Sequence, residues 1–173
     1  MMTAISADAL PARAFGLHAE SCVRIAAPAA DVFVVVDNHA RLAEHMSKPS
    51  WWMGGGSMRV STDAGRGQEL GSHIRLAGSA FGVRVELDEI VTEREPPFRK
   101  AWETIGIPRL IVIGSYRMGF EITPDGGSSI LRVFVDYELP DRRLPFQGAL
   151  ARLYAYWCTE RMAHDAADHF IKR

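Results

Sequence analysis

Between residues 57 and 139 the chain alternates apolar and polar side chains in short runs that stop at Gly and Pro. The runs are SMRVSTD (57–63), GSHIRLAG (71–78), FGVRVELDEIVTE (81–93), RKAWETIG (99–106), LIVIGSYRMGFEI (110–122) and SSILRVFVDYEL (128–139). A period of two, with Val, Ile and aromatic enrichment, predicts strands. The separators AGRGQELG, SAFG, REPPF, IPR and TPDGG carry the residues that hairpin connections need, so the strands should form an antiparallel meander.

Upstream, HAESCVRIAAPAADVFVVV predicts a short strand around Cys22 to Ala26 and then a helix that opens at PAADVF with Pro28 in its first turn. Val34, Val35 and Val36 favour a strand by propensity, but Asp37 and Asn38 stop the run. HARLAEHM then places Leu42 and Met46 at helical spacing, which gives two short helices. After Pro140 and Pro145, apolar residues at 146, 150, 153, 154, 157, 158, 162, 166 and 170 mark one long amphipathic helix. Residues 1–18 have no sustained period and read as an N-terminal extension to a domain over 19–173.

Strand alternation selects an inner face. Leu131, Val133, Val135 and Tyr137 oppose Arg132, Asp136 and Glu138, with Phe134 as the exception; Tyr116, Met118, Phe120 and Ile122 oppose Arg117 and Glu121. Phe81, Val83, Val85 and Leu87 oppose Arg84, Glu86 and Asp88. Ile74, Leu76, Met58, Val60 and Trp102 extend the same face, and DEIVTE continues it only through a bulge or with Glu89 pointing inward. Against it the helix should turn Leu150, Tyr154, Trp157, Cys158 and Met162, as core or as the roof of a cavity. Trp51 and Trp52, next to a Gly run, read as a rim over that cavity.

Bulk properties narrow the function. At 173 residues, with 47% hydrophobic and 24% charged residues, one globular domain is expected. A net charge of −1 gives no footprint for nucleic acid or anionic lipid surfaces. Two cysteines far apart, no basic-then-apolar leader and no apolar run long enough for a bilayer point to a cytoplasmic protein with reduced thiols and no integral membrane segment.

No cofactor and no metal site is expected. In HDAADH, His164 and His169 lie five apart and point to different helix faces, so i,i+4 pairs of Asp and His on a surface are the better reading. GRGQELG lacks phosphate-loop spacing and precedes a strand rather than a helix. The inward acid–base candidates are Tyr116, Tyr137 and Tyr154, with Glu89 and Glu103 depending on register. Tyr116 and Tyr137 are the candidate catalytic groups.

The order of elements resembles the helix-grip fold of the START-like, polyketide cyclase and birch-pollen-allergen superfamily (SRPBCC), an α+β fold in which a curved seven-stranded antiparallel sheet wraps around the last helix. The resemblance covers about residues 19 to 172. It is carried by IAAPAADVF, GRGQELGSHIRL, EIVTEREPPFRKAW and FEITPDGGSSILRVFVDYELP. It implies a cavity between sheet and helix for a hydrophobic or amphipathic small molecule such as a lipid, quinone or polyketide, and no universal catalytic residue. Ile74, Leu76, Val85, Leu87, Trp102, Tyr116, Met118, Phe120, Val133, Val135, Tyr137, Tyr154, Trp157, Cys158 and Met162, with Trp51 and Trp52, are the expected ligand contacts. A polyketide cyclase or aromatase and a protein-partner-binding module are the alternatives to a carrier or sensor.

Overall fold

The computed structural model describes residues 14–42, 54–141 and 145–171. Seven strands, β1 (Leu17–Ile25), β2 (Met58–Thr62), β3 (His73–Ala80), β4 (Val83–Glu95), β5 (Arg99–Arg109), β6 (Tyr116–Asp125) and β7 (Ser128–Tyr137), form one antiparallel sheet in the order β1-β7-β6-β5-β4-β3-β2. Helices α1 (Ala29–Val36) and α2 (His39–Leu42) follow β1, and α3 (Gln147–Ile171) packs on the concave face. This is the helix-grip arrangement expected from the sequence.

The turns explain the meander. Phe81 and Gly82 join β3 to β4 with φ of 51° and 73°, the left-handed pair that suits the twist of a two-residue hairpin. Phe81 and Val83 are therefore exposed at the tip, not on the inner face.

In α1 the buried residues Ala29, Val32, Phe33 and Val36 recur at helical spacing, and Phe33 meets Phe120 edge-on at 5.8 Å. Burying a Val or Phe is worth roughly 1.5–3 kcal/mol, against a few tenths lost to poor helix propensity. Packing therefore makes the valine run helical.

Three expectations change. β1 is longer than the segment around Cys22 to Ala26, because His18 and Glu20 face outward onto β7: His18 Nδ1 lies 2.6 Å from Asp136, and Arg132 Nη2 lies 2.6 Å from Glu20. Residues 110–115 form a loop instead of the start of a strand. A bulge at Gly106 (φ 68°) displaces the end of β5, leaves Ile107 92% exposed and turns Val112 and Ile113 into the core.

The third change concerns α3. Its buried face is Ala151, Ala155, Cys158, Thr159, Met162, Ala163, Ala166 and Ala167, whereas Phe146, Leu150 and Leu153 are exposed. Small side chains let the helix lie close to β1, where Ser21 Oγ meets Thr159 Oγ1 at 3.1 Å. Larger residues on that face would hold it off.

Phe134, the apolar exception on the outer face of β7, is buried under the Arg132 guanidinium at 5.2 Å and over Gly119. On α3, Asp165 pairs with Arg161 at 3.1 Å and His169 lies 3.2 Å from the Arg41 guanidinium.

Candidate functional site

A cavity separates the middle of the sheet from α3. The sheet contributes Met58, Leu76, Leu87, Trp102, Met118 and Val135, all apolar. The loop after β5 adds Leu110 and Ile113, α2 adds Leu42, and α3 adds Tyr154, Ala155, Cys158 and Met162. Of the described lining residues, Leu110 and Tyr154 are half-buried and the others are buried. The cavity volume is about 50 Å³, several times what a single buried water needs. The space suits a few waters or the ring of a small organic molecule.

One wall is polar. Glu89, His39 and Tyr116 border the cavity with exposures of 2%, 4% and 8%. The Tyr116 hydroxyl donates to Glu89 Oε1, and His39 Nε2 stands 3.3 Å from Glu89 Oε2. The His39 ring sits edge-on to Trp102, centroids 4.8 Å apart. Among the described residues, Glu89 Oε2 and His39 Nδ1 have no hydrogen-bond partner. Buried polar atoms are nearly always paired, so these two are an invitation to a ligand's polar end.

Backbone register puts Glu89 there. Val85, Leu87, Glu89 and Val91 alternate inward without interruption: the β4–β5 ladder shifts between Glu86 and Asp88, where the extra residues lie on β5, and again between Val91 and Glu93. Glu103 points the other way and meets Arg117 at 3.7 Å, which removes it as a cavity acid.

His39 is fixed by the corner between α1 and α2. The fully buried Lys100 ammonium donates to the Asp37 carbonyl at 2.8 Å and lies 3.1 Å from Asp37 Oδ1, while Arg94 grips both carboxylate oxygens at 3.2 and 2.7 Å. Burial pushes the Asp37 carboxyl up, but the Arg94 hydrogen bonds and the Lys100 charge outweigh it and hold it below its ordinary value. Burial draws the Lys100 ammonium down.

Burial, reinforced by the Glu89 charge, raises the Tyr116 phenol well above its usual range, so it acts as a donor and not as a base. Burial pushes the Cys158 thiol up to about 12 and so disfavours its thiolate. Tyr154 and Tyr137 are likewise raised by burial.

Of the expected contacts, Leu76, Leu87, Trp102, Tyr116, Met118 and Val135 border the cavity from the sheet, and Tyr154, Cys158 and Met162 from the helix. Ile74, Val85, Phe120, Val133 and Tyr137 are buried on the same sheet face but do not border it. Trp157 is half-buried beside Tyr154, with centroids 6.0 Å apart. Trp51 and Trp52 lie outside the described residues.

The sequence did not point to His39, Leu42, Leu110, Ile113 or Ala155 as contacts. Among the described residues no group of three His, Cys, Asp or Glu is placed to hold a metal ion. No helix among them is long and apolar enough to cross a membrane.

No protein-family model matches the chain, and no curated protein matches it in sequence. Solved structures do match in fold. Ara h 8.0201 aligns with TM-score 0.63 and 11% identity over 91% of this chain and 99% of its own. TTHA0849 from Thermus thermophilus aligns with TM-score 0.62 and 16% identity over 90% and 98%. A point mutant of norcoclaurine synthase from Thalictrum flavum, in complex with a transition-state analogue, aligns with TM-score 0.61 and 14% identity over 90% and 94%.

Proposed function

We propose that this helix-grip protein binds a compact, largely apolar molecule of one or two rings between the sheet and α3, with the molecule's polar end against Glu89, Tyr116 and His39. The observation that carries this reading is the polar wall itself: two buried atoms without a hydrogen bond, Glu89 Oε2, which faces the His39 Nε2 at 3.3 Å, and His39 Nδ1, border an otherwise apolar cavity. The limited room favours a quinone-sized or monoaromatic compound over a long-chain lipid.

The test is calorimetric titration with indole, 1-naphthol and palmitate, on the parent protein and on Val135→Trp. The aromatic compounds should bind, palmitate should not, and the variant, with an indole filling the space, should bind neither class while remaining folded. Equal aromatic binding by Val135→Trp would place the ligand elsewhere. Failure of every aromatic compound to bind would end the reading.

A second reading, acid–base catalysis on a carbonyl compound of the cyclase or dehydratase kind, is favoured by the Tyr116–Glu89 contact. Tyr116 would donate to a carbonyl oxygen while Glu89 accepts a proton from carbon. The Thalictrum flavum synthase supports it as an enzyme of the same fold. Turnover of a poly-β-keto substrate that falls about 100-fold in Tyr116→Phe, with binding kept, would establish it; absence of turnover in the parent protein would reject it.

A further inference from the structure

We propose that His18 is a pH-released clasp on the start of β1. As an imidazolium held between Asp136 and Glu20 it pins Leu17 to Ala19 against β7, and loss of its proton frees that end while the remainder of the ladder stays paired.

The contacts fix the charge state that makes them. His18 Nδ1 lies 2.6 Å from Asp136 Oδ1, and Nε2 lies 3.0 Å from Glu20 Oε2. A neutral imidazole has one N–H and one lone pair, so it can serve one carboxylate and must turn a lone pair on the other. Only the imidazolium donates to both. In keeping with this, the Asp136 hydrogen bond, joined by that of Glu20 and opposed by partial burial, raises the His18 pKa above its ordinary value of 6.5. A raised value means that the clasp contributes fully below the unfolded pKa and is lost as pH rises through the folded one.

The two carboxylates fare differently when the proton leaves. From β7, Arg132 also reaches Glu20 Oε2, through Nε at 2.8 Å and Nη2 at 2.6 Å, so Glu20 keeps a counter-charge. Asp136 keeps none. Arg117 on β6 stands opposite it in the ladder but turns its guanidinium to Glu93 at 2.9 Å and Glu103 at 3.7 Å. Among the described residues His18 is the one cation paired with Asp136. Glu138, two residues beyond Asp136, adds a further negative charge to the neighbourhood, and along β1 Arg24 is held by Asp125 at 3.0 Å, with Cys22 between it and Glu20.

The fold limits what is released. β1 is an edge strand with β7 on one side only. Its middle and far end are held without His18: Ser21 Oγ meets Thr159 Oγ1 of α3 at 3.1 Å, and Ile25 is buried. The positions that depend on the clasp are Leu17 opposite Tyr137, His18 opposite Asp136 and Ala19 opposite Val135. Tyr137 pairs in turn with Tyr116, so the freed end adjoins the strand that carries the cavity phenol.

The experiment is amide hydrogen exchange on the full chain by NMR between about pH 6 and 8.5, with the His18 ring proton followed in the same samples. After correction for intrinsic exchange, the amides of residues 17 to 19 that bond to β7 should lose about two- to fivefold in protection as His18 titrates, the range of an exposed ion pair. Those of residues 23 to 25 should hold theirs. His18→Gln should show the lower protection at every pH, and Asp136→Asn should move the His18 titration to lower pH. Protection at residues 17 to 19 that does not change with pH in the parent protein overturns the proposal. So does a His18 midpoint at or below 6.5, or a pH dependence that persists in His18→Gln. Should a variant fail to fold, the comparison of the two ends of β1 within the parent protein decides the matter.

Discussion

Tyr116 reaches Glu89 across the width of a strand: β5 lies between them, and its Thr104 ties the pair together. Thr104 sits opposite Glu89 in the β4–β5 ladder, and its hydroxyl oxygen accepts the Tyr116 backbone N–H at 3.1 Å. The phenol is thus aimed at the carboxylate by a backbone contact as well as by its own hydroxyl. Removing that hydroxyl in Tyr116→Phe strands Glu89 Oε1 in a buried site. Unfolding in urea should show a loss of about 1–3 kcal/mol, the usual cost of an unsatisfied buried acceptor.

The corner before His39 should be the most sensitive polar cluster. Asp37→Ala leaves the fully buried Lys100 without its carboxylate, and a loss of about 3–5 kcal/mol is expected in denaturant titration. The carboxyl of Asp37 titrates below its ordinary value of 3.8 in the folded protein. Its contribution is therefore complete above the unfolded value and disappears as pH falls through the folded one. The parent protein should lose stability below about pH 4 more steeply than Asp37→Ala does, as acid titration followed by circular dichroism will show.

Cys158 makes the opposite prediction at high pH. Its thiol is raised from 9.0 to about 12, so the unfolded chain releases this proton first and stability declines as pH rises between those values. The slope from this one group is about 1.4 kcal/mol per pH unit. Since Tyr116 and Tyr154 also contribute at high pH, the informative quantity is the difference between the parent protein and Cys158→Ala. That difference should change by this slope between pH 9 and 11. Iodoacetamide at pH 8 should label the exposed Cys22 and spare Cys158 in the native state.

Gly119 should tolerate no side chain. A Cβ there would lie 2.5 Å from the Lys100 carbonyl oxygen and 2.8 Å from Phe134 Cζ. Gly119→Ala should therefore cost about 1–3 kcal/mol through displacement of Phe134 or the β5 backbone. The check is a thermal melt of this variant beside Gly78→Ala, where a Cβ meets backbone at 2.1 Å and the loss should be at least as great.

Much of the fold could be read from alternation because each strand has one face buried and the other wet. Val133, Val135 and Tyr137 against Arg132 and Asp136 are the plainest case. The pattern failed where a tertiary choice overrode it. Apolarity alone made residues 110–113 look like strand, but a bulge at Gly106, whose partner register no local pattern carries, moved them into a loop at the cavity. On α3, large apolar residues suggested the buried stripe, yet the need for close approach to β1 gave that place to alanines. His39 was invisible as a site residue because its meaning lies in Glu89, fifty positions on and on a different element.

The strand order also dictates when the protein can fold. β2 to β7 are joined as consecutive hairpins, each closing over a short loop, but β1 pairs with β7, so that His18 and Asp136 meet from positions 118 residues apart. On a ribosome the amino-terminal strand must wait, unpaired, until nearly the whole sheet has been synthesised, and α3 arrives later still. Until then the apolar concave face is uncovered. Closure of this one long-range ladder should set the rate, placing folding in the millisecond-to-second class of non-local β topologies, and the waiting interval is when the nascent chain has most need of a chaperone.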